Sequence, residues 1–213
     1  MKKVLITMIL AVSAVVAEQA PVEVQRVIDN YLSGNDPFSA SFNGDAVSMG
    51  FEAGTKLSDL KAGAPFLLHA FKIDSLQNID ENAPIGSLLK PLKEWAVPLL
   101  KNGKARILLV VSKNSMKPYW HVGRLGCTGF AIEWEKVCKA WPESAGYHPI
   151  FIGNLIGPEF FHVPEMGDYN LSYLTHATNH PDSLYKYLKS SKTVLKELKS
   201  QWQLNFNKIN DKI

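Results

Sequence analysis

Cys127 and His121 are the first residues to test for chemistry, because a thiol with a nearby imidazole is the minimal set for nucleophilic catalysis. Cys127 follows Gly126 at an expected helix start, where the dipole lowers a thiol's pKa. With His121 as base the pair would serve a cysteine-dependent hydrolase or a redox enzyme. Proximity in sequence does not by itself bring two side chains together, and an inert buried cysteine is the simpler reading. Cys127 and Cys138 are the only two cysteines, and in an oxidising compartment an even count makes them a candidate disulfide. Phe130, Trp134, Val137 and Trp141, however, fall at helical intervals. A helix through them holds the two α-carbons about 16 Å apart, against the ~7 Å a bridge tolerates. Either that helix is shorter than its periodicity suggests, or both thiols are free and buried.

His176 and His180 stand four apart, as on a zinc-binding helix, with His162, Glu165 and Asp168 upstream as conceivable further ligands. The context opposes a metal. Ala177 occupies the place of a zincin's glutamate, and Pro181 turns the preceding residue away from helical geometry. A polar connection is the preferred reading, and no metal or other cofactor is expected. Acidic neighbours such as Asp80 with Glu81, or Glu133 with Glu135, do not converge on one substrate from a helix. Nucleophile elbows, dinucleotide fingerprints and Walker-type phosphate loops are missing from the chain.

Aromatic residues are the remaining resource. Trp95, Trp120, Trp134 and Trp141 fall within one stretch, with Tyr119, Phe130 and Tyr147 close by. Trp95 and Trp134 are assigned to the core. Tyr119 and Trp120 are adjacent in an expected strand and so face opposite sides, which lets one of them line a groove. They are the candidate ligand-binding residues. An aromatic-lined pocket between sheet and helix suits an apolar small molecule, a peptide or a protein partner.

The elements that must position these side chains begin with a leader. Lys2 and Lys3, an apolar run over 4–16 and the small-residue sequence Val15-Val16-Ala17 form a signal peptide over 1–17. A run of about a dozen apolar residues falls short of the ~20 that span a bilayer, so cleavage is expected and no transmembrane segment should remain. The product is then periplasmic or secreted, a single globular domain over 18–213. The chain carries a formal charge of +3, and losing Lys2 and Lys3 brings it to +1, which argues against nucleic acid as a partner.

Within the domain, residues 22–32 carry a helical apolar stripe and 38–51 suggest a short strand or hairpin. A half-buried strand is expected over 65–73, then a helical turn from Ile85 that Pro91 disturbs. Residues 95–100 and 105–111 flank Asn102-Gly103, the strongest short hairpin signal, and 119–125 adds a third strand. Pro98 within the first of these implies an edge position or a bulge. A helix through Phe130 and Trp141 follows, then three strands over 147–155, 159–163 and 169–174. The chain closes on an amphipathic helix over 182–203, whose lysines form a wet face. The fold class is α+β: a mainly antiparallel sheet of about six strands in two meanders, packed by two or three helices.

Trp95-x-x-Pro98, Asn102-Gly103-x-x-Arg106 and Tyr119-Trp120 together resemble a pattern in exported α+β bacterial proteins to which no activity is attached. The resemblance spans residues 60–175. It implies a helix after the first meander and a second strand group after that, and it transfers no site residues. The leading functional reading is a non-enzymatic exported binding or interaction protein. The alternatives are the Cys127 and His121 enzyme, or an envelope structural component held through the lysine-bearing helix.

Overall fold

The computed structural model describes residues 19–72, 78–153, 159–167, 169–172 and 188–210. The leader expected over 1–17 and the histidine pair His176 and His180 lie outside the described residues. Helix α1 (Val22–Leu32) starts at Pro21, whose carbonyl accepts the amides of Val24 and Gln25 at 2.9 and 3.2 Å. Its stripe buries Val24, Ile28 and Tyr31 completely. Gly34, at φ 78°, turns the chain out of the helix.

Helix α2 (Ser39–Asp45) occupies the stretch where a strand or hairpin is expected. The Asp36 carboxylate accepts the Phe38 amide at 2.8 Å, and the Asp36 carbonyl accepts that of Ser39 at 2.9 Å, which starts a helical turn. Phe42 and Ala46, four apart, then share one buried face. The alternation at Val47, Met49 and Phe51 falls in the turns that follow.

Strands β1 (Lys61–Ala62), β2 (Phe66–Phe71), β3 (Leu89–Lys101), β4 (Lys104–Ser112) and β5 (His121–Gly126) form the first antiparallel group, with the short helix α3 (Ile85–Leu88) leading into β3. Asn102 and Gly103 both take positive φ, 54° and 72°, as a type I′ hairpin requires. Pro98 sits inside β3, opposite the break between β1 and β2. There the Gly63 amide donates to the Pro98 carbonyl at 2.7 Å, and the register with β4 shifts at Leu99 and Leu100. The missing proline N–H is thus absorbed where one neighbour is interrupted. Strand β5 begins at His121, two residues later than expected, and a bulge opposite Val110 and Val111 leaves Gly123 unpaired. A Cβ at Gly123 would meet the Ser112 hydroxyl, which would have to rotate away, so the bulge favours glycine.

Helix α4 (Thr128–Ala140) then carries the chain across the sheet to β6 (Ile150–Ile152), β7 (Phe160–His162), β8 (Tyr169–Ser172) and β9 (Leu188–Ser190). The sheet order is β5-β4-β3-β2-β6-β7-β8-β9, with β1 also on β3. Two meanders are present as expected, and one parallel pair joins them: Leu68 opposite Phe151 and His69 opposite Ile152. That pair follows from α4, whose crossover delivers β6 in the direction of β2. Among the described residues the sheet has nine strands rather than about six, because elements as short as β1 and β9 carry no readable period. Helix α5 (Ser191–Asn210) begins nine residues later than the expected 182–203, behind β9, with the Ser190 hydroxyl accepting the Thr193 amide at 3.3 Å.

The sheet separates two layers of helix. Trp95, Val97 and Leu99 of β3, with Ile107, Leu109 and Val111 of β4, pack with α1 and α2. Their alternates Ala96, Leu108 and Val110 pack with α4, joined by Phe151 and Phe161. Ile152 and Phe160 point the other way and meet Val194, Leu195 and Leu198 of α5. Each fully buried aliphatic side chain contributes roughly 1.5–3 kcal/mol.

Candidate functional site

A groove of about 370 Å³ opens between α4 and the seam where β2 meets β6. Its floor is Phe66, Leu67 and His69 of β2, with Ala64 and Pro65 before them; one wall is Trp134 and Cys138 of α4, continued by Trp141. The other wall is the connection from Glu143 to Ile150, including Tyr147 and His148. The opening exists because α4 ends at Trp141 and Pro142, and the chain makes a turn of 3-10 helix (Glu143–Ala145) and a left-handed step at Gly146, φ 83°, before rejoining the sheet.

Aromatic packing makes the lining rigid. Phe66 stacks on Trp134 with ring centres 3.8 Å apart, and Trp134 lies 5.7 Å from Phe161. Phe151 stands 6.4 Å from Phe66, 5.4 Å from Phe130 and 5.3 Å from Phe161, so it is the hub behind the wall.

Polar groups are few and mostly engaged. The Glu165 carboxylate accepts the His148 amide at 3.0 Å and its Nδ1 at 2.8 Å, which clamps the outer wall. Burial alone would raise the Glu165 pKa, but these His148 bonds outweigh it and hold the carboxyl below its ordinary value. His69 donates from Nδ1 to the Leu67 carbonyl at 3.3 Å. Glu135, half-buried where α4 meets β4, works similarly. Burial pushes its carboxyl up, but bonds from Lys139 and from the Ala105 amide prevail, and the second of these ties α4 to β4.

The residues singled out for covalent chemistry are not brought together. His121 and Cys127 stand at opposite ends of β5, about 20 Å apart at ~3.3 Å per residue. His121 donates from Nδ1 to the Tyr119 carbonyl at 3.1 Å. Cys127 takes a left-handed conformation at φ 60° and ψ 48°, immediately before α4. Burial raises its thiol pKa, Arg124 offsets part of that, and Glu159 adds to it, so no thiolate is favoured. Both cysteines are free. Cys127 precedes α4 and Cys138 lies in its last turn, and the full-length helix keeps them far beyond bridging distance.

Cys138 is the thiol that faces the groove, and burial, with Glu143 beside it, pushes it up to about 12. Iodoacetamide at pH 8 is therefore expected to label the native protein slowly at Cys127 and not at Cys138, and to label both after denaturation. Peptide mass mapping reads this out, and fast native labelling of Cys138 would contradict the assigned burial.

For a metal, His162 is buried in β7 and Glu165 is held by His148, while Asp168 lies outside the described residues with His176 and His180. Among the described residues no group of three or more His, Cys, Asp or Glu is placed to hold an ion. Tyr119 and Trp120 precede β5 rather than lying in it, and they line a different hollow, against α1.

Among the groove residues, His148 is not singled out in the sequence, and Trp141 and Tyr147 stand out there only as part of the aromatic-rich stretch. Trp134 reads as core, which it also is, and Phe66 reads as part of a half-buried strand. The one available signal is the Trp141-Pro142 and Gly146-Tyr147 punctuation, which marks a rigid aromatic-flanked turn without saying what it faces. No helix among the described residues is long and apolar enough to cross a membrane. No family model matches this chain, and neither does any curated protein or any solved structure.

Proposed function

We propose that this chain is an exported, non-enzymatic binding protein, periplasmic or secreted, that holds a small apolar molecule with an aromatic or branched body in the groove between α4 and the β2–β6 seam. The observation that carries the reading is the stacked and edge-packed aromatic lining, open to solvent and large enough for a compact ligand at about 370 Å³. Apolar walls supply affinity by area. The few polar groups in the lining, Glu143, His69 and His148, fix orientation.

Export rests on the leader pattern over 1–17, and the absence of catalytic motifs agrees with raised rather than lowered thiol pKa values. A thiol held protonated is a poor nucleophile.

The neutral fluorophore N-phenyl-1-naphthylamine tests the groove. It is expected to bind the folded protein at one site with micromolar affinity and a blue-shifted emission. Ala64→Trp should abolish that signal, because Ala64 is exposed at the groove's edge and the added indole fills the space without disturbing the core. Undiminished binding to a folded Ala64→Trp protein would remove the groove from the mechanism.

A further inference from the structure

A second hollow, also of about 370 Å³, lies on the opposite face of the molecule from the aromatic groove, between α1 and the residues that connect β4 to β5. Helix α1 offers Glu23, Arg26, Val27 and Asn30 to it, at the i, i+3, i+4 and i+7 positions of one helical face. Across from them stand Lys113, Tyr119 and Trp120. The intervening turn is braced. The Asn114 side-chain oxygen accepts the amides of Met116 and Lys117 at 3.0 and 2.8 Å, and the Asn114 amide donates to the Lys117 carbonyl at 3.1 Å.

From this arrangement we infer a second binding site, for a small organic monoanion that carries a flat apolar or aromatic body. The aromatic half of the site is Trp120, half-buried against the α1 core, with the exposed ring of Tyr119 beside it at 62 % exposure. The anion-binding half is Arg26 and Lys113. Among the described residues neither cation has a carboxylate within ion-pair distance. Lys113 is half-buried, and its Nζ stands 6.0 Å from the centre of the Trp120 ring, near the outer limit of a cation–π contact. A half-buried ammonium with only that contact gains more from an anion than a fully hydrated one does.

Glu23 shares the lining, so the two cations leave one net positive charge. That balance suits a monoanion and disfavours a dianion such as phosphate. The guanidinium of Arg26 favours a carboxylate, whose two oxygens match its fork. Asn30 adds an amide that bonds either end of the ligand.

Calorimetric titration with 1-naphthoate is the test. The wild-type protein is expected to bind one equivalent, more weakly as salt rises. Arg26→Gln and Lys113→Gln should each weaken it by about tenfold, the loss of one charge-assisted hydrogen bond. Glu23→Gln should strengthen it, which a merely structural role for this face would not produce. Inorganic phosphate should bind more weakly than naphthoate. All three substitutions are at surface positions outside the core, and an unchanged melting temperature verifies the fold.

The site is independent of the aromatic groove. Ala64→Trp should leave naphthoate binding intact, while Arg26→Gln leaves binding of N-phenyl-1-naphthylamine intact. Naphthoate affinity that is indifferent to Arg26, Lys113 and Glu23, or that disappears in Ala64→Trp, would overturn the inference.

Discussion

Trp134→Ala is expected to lower the free energy of unfolding by about 3–5 kcal/mol, the usual cost of deleting a large buried aromatic ring. Trp134 is 8 % exposed, stacks on Phe66 at 3.8 Å and leans on Phe161 at 5.7 Å. Its removal strips one wall from the groove and one flank from the floor, so relaxation can close little of the space. A loss of this size is a large part of the 5–15 kcal/mol that separates a typical folded domain from its unfolded chain. Urea titration followed by far-ultraviolet circular dichroism measures it, as a fall in the midpoint at constant slope. Trp134→Phe should restore more than half of the loss, since a phenyl ring retains the stack on Phe66. Recovery no better than alanine would mean that the indole's extra volume, rather than the stack, holds this wall.

The same residue shows how much of the molecule is legible in the chain. Its placement in the core follows from the helical spacing of Phe130, Trp134, Val137 and Trp141, and α4 covers that register. The Asn102-Gly103 hairpin is equally plain, because only a turn with two positive φ values uses that dipeptide so readily. Both are local signals. The parallel contact of β2 with β6 is not, since it joins Leu68 to Phe151 across more than eighty residues and involves two residue pairs. No periodicity encodes a partner at that distance. The groove depends on that contact and therefore could not be read in advance, although a pocket between sheet and helix is a fair expectation for any aromatic-rich α+β chain.

Local chemistry also misleads in two instructive places. Val47, Met49 and Phe51 alternate as a strand would, yet Asp36 and Ser39 commit the preceding residues to helix α2 through side-chain and turn hydrogen bonds that outcompete the pattern. Tyr119 and Trp120 look like strand residues with opposite faces, but Pro118 and the Asn114 turn delay β5 until His121. Freed from the strand, both aromatics reach the same hollow. The sequence thus singles out two aromatics that line one hollow, but on opposite strand faces rather than in the turn that brings them together.

Phe151→Ala is expected to be the most disruptive single change outside α4, at about 3–5 kcal/mol, and to do so unevenly along the sheet. Phe151 is 4 % exposed and touches Phe66, Phe130 and Phe161, which belong to β2, α4 and β7. It is therefore the side chain through which the first meander, the crossover helix and the second meander share one core. The backbone does little to hold that seam, because the parallel pairing is only two residues long, with one further bond from the Gly153 amide to the His69 carbonyl at 2.8 Å. Native-state hydrogen exchange should accordingly show the amides of β6 and β7 opening at a lower free energy than those of β3 and β4, which remain paired along a long hairpin. A uniform loss of protection would mean that the two meanders unfold as one unit, held by α4 rather than by the seam. Because Phe151 and Trp134 share Phe66 and Phe161 as neighbours, the double variant should lose less than the two single losses together, by about 0.5–3 kcal/mol. Strict additivity would separate the hub from the groove wall and leave the aromatic cluster as two independent contacts.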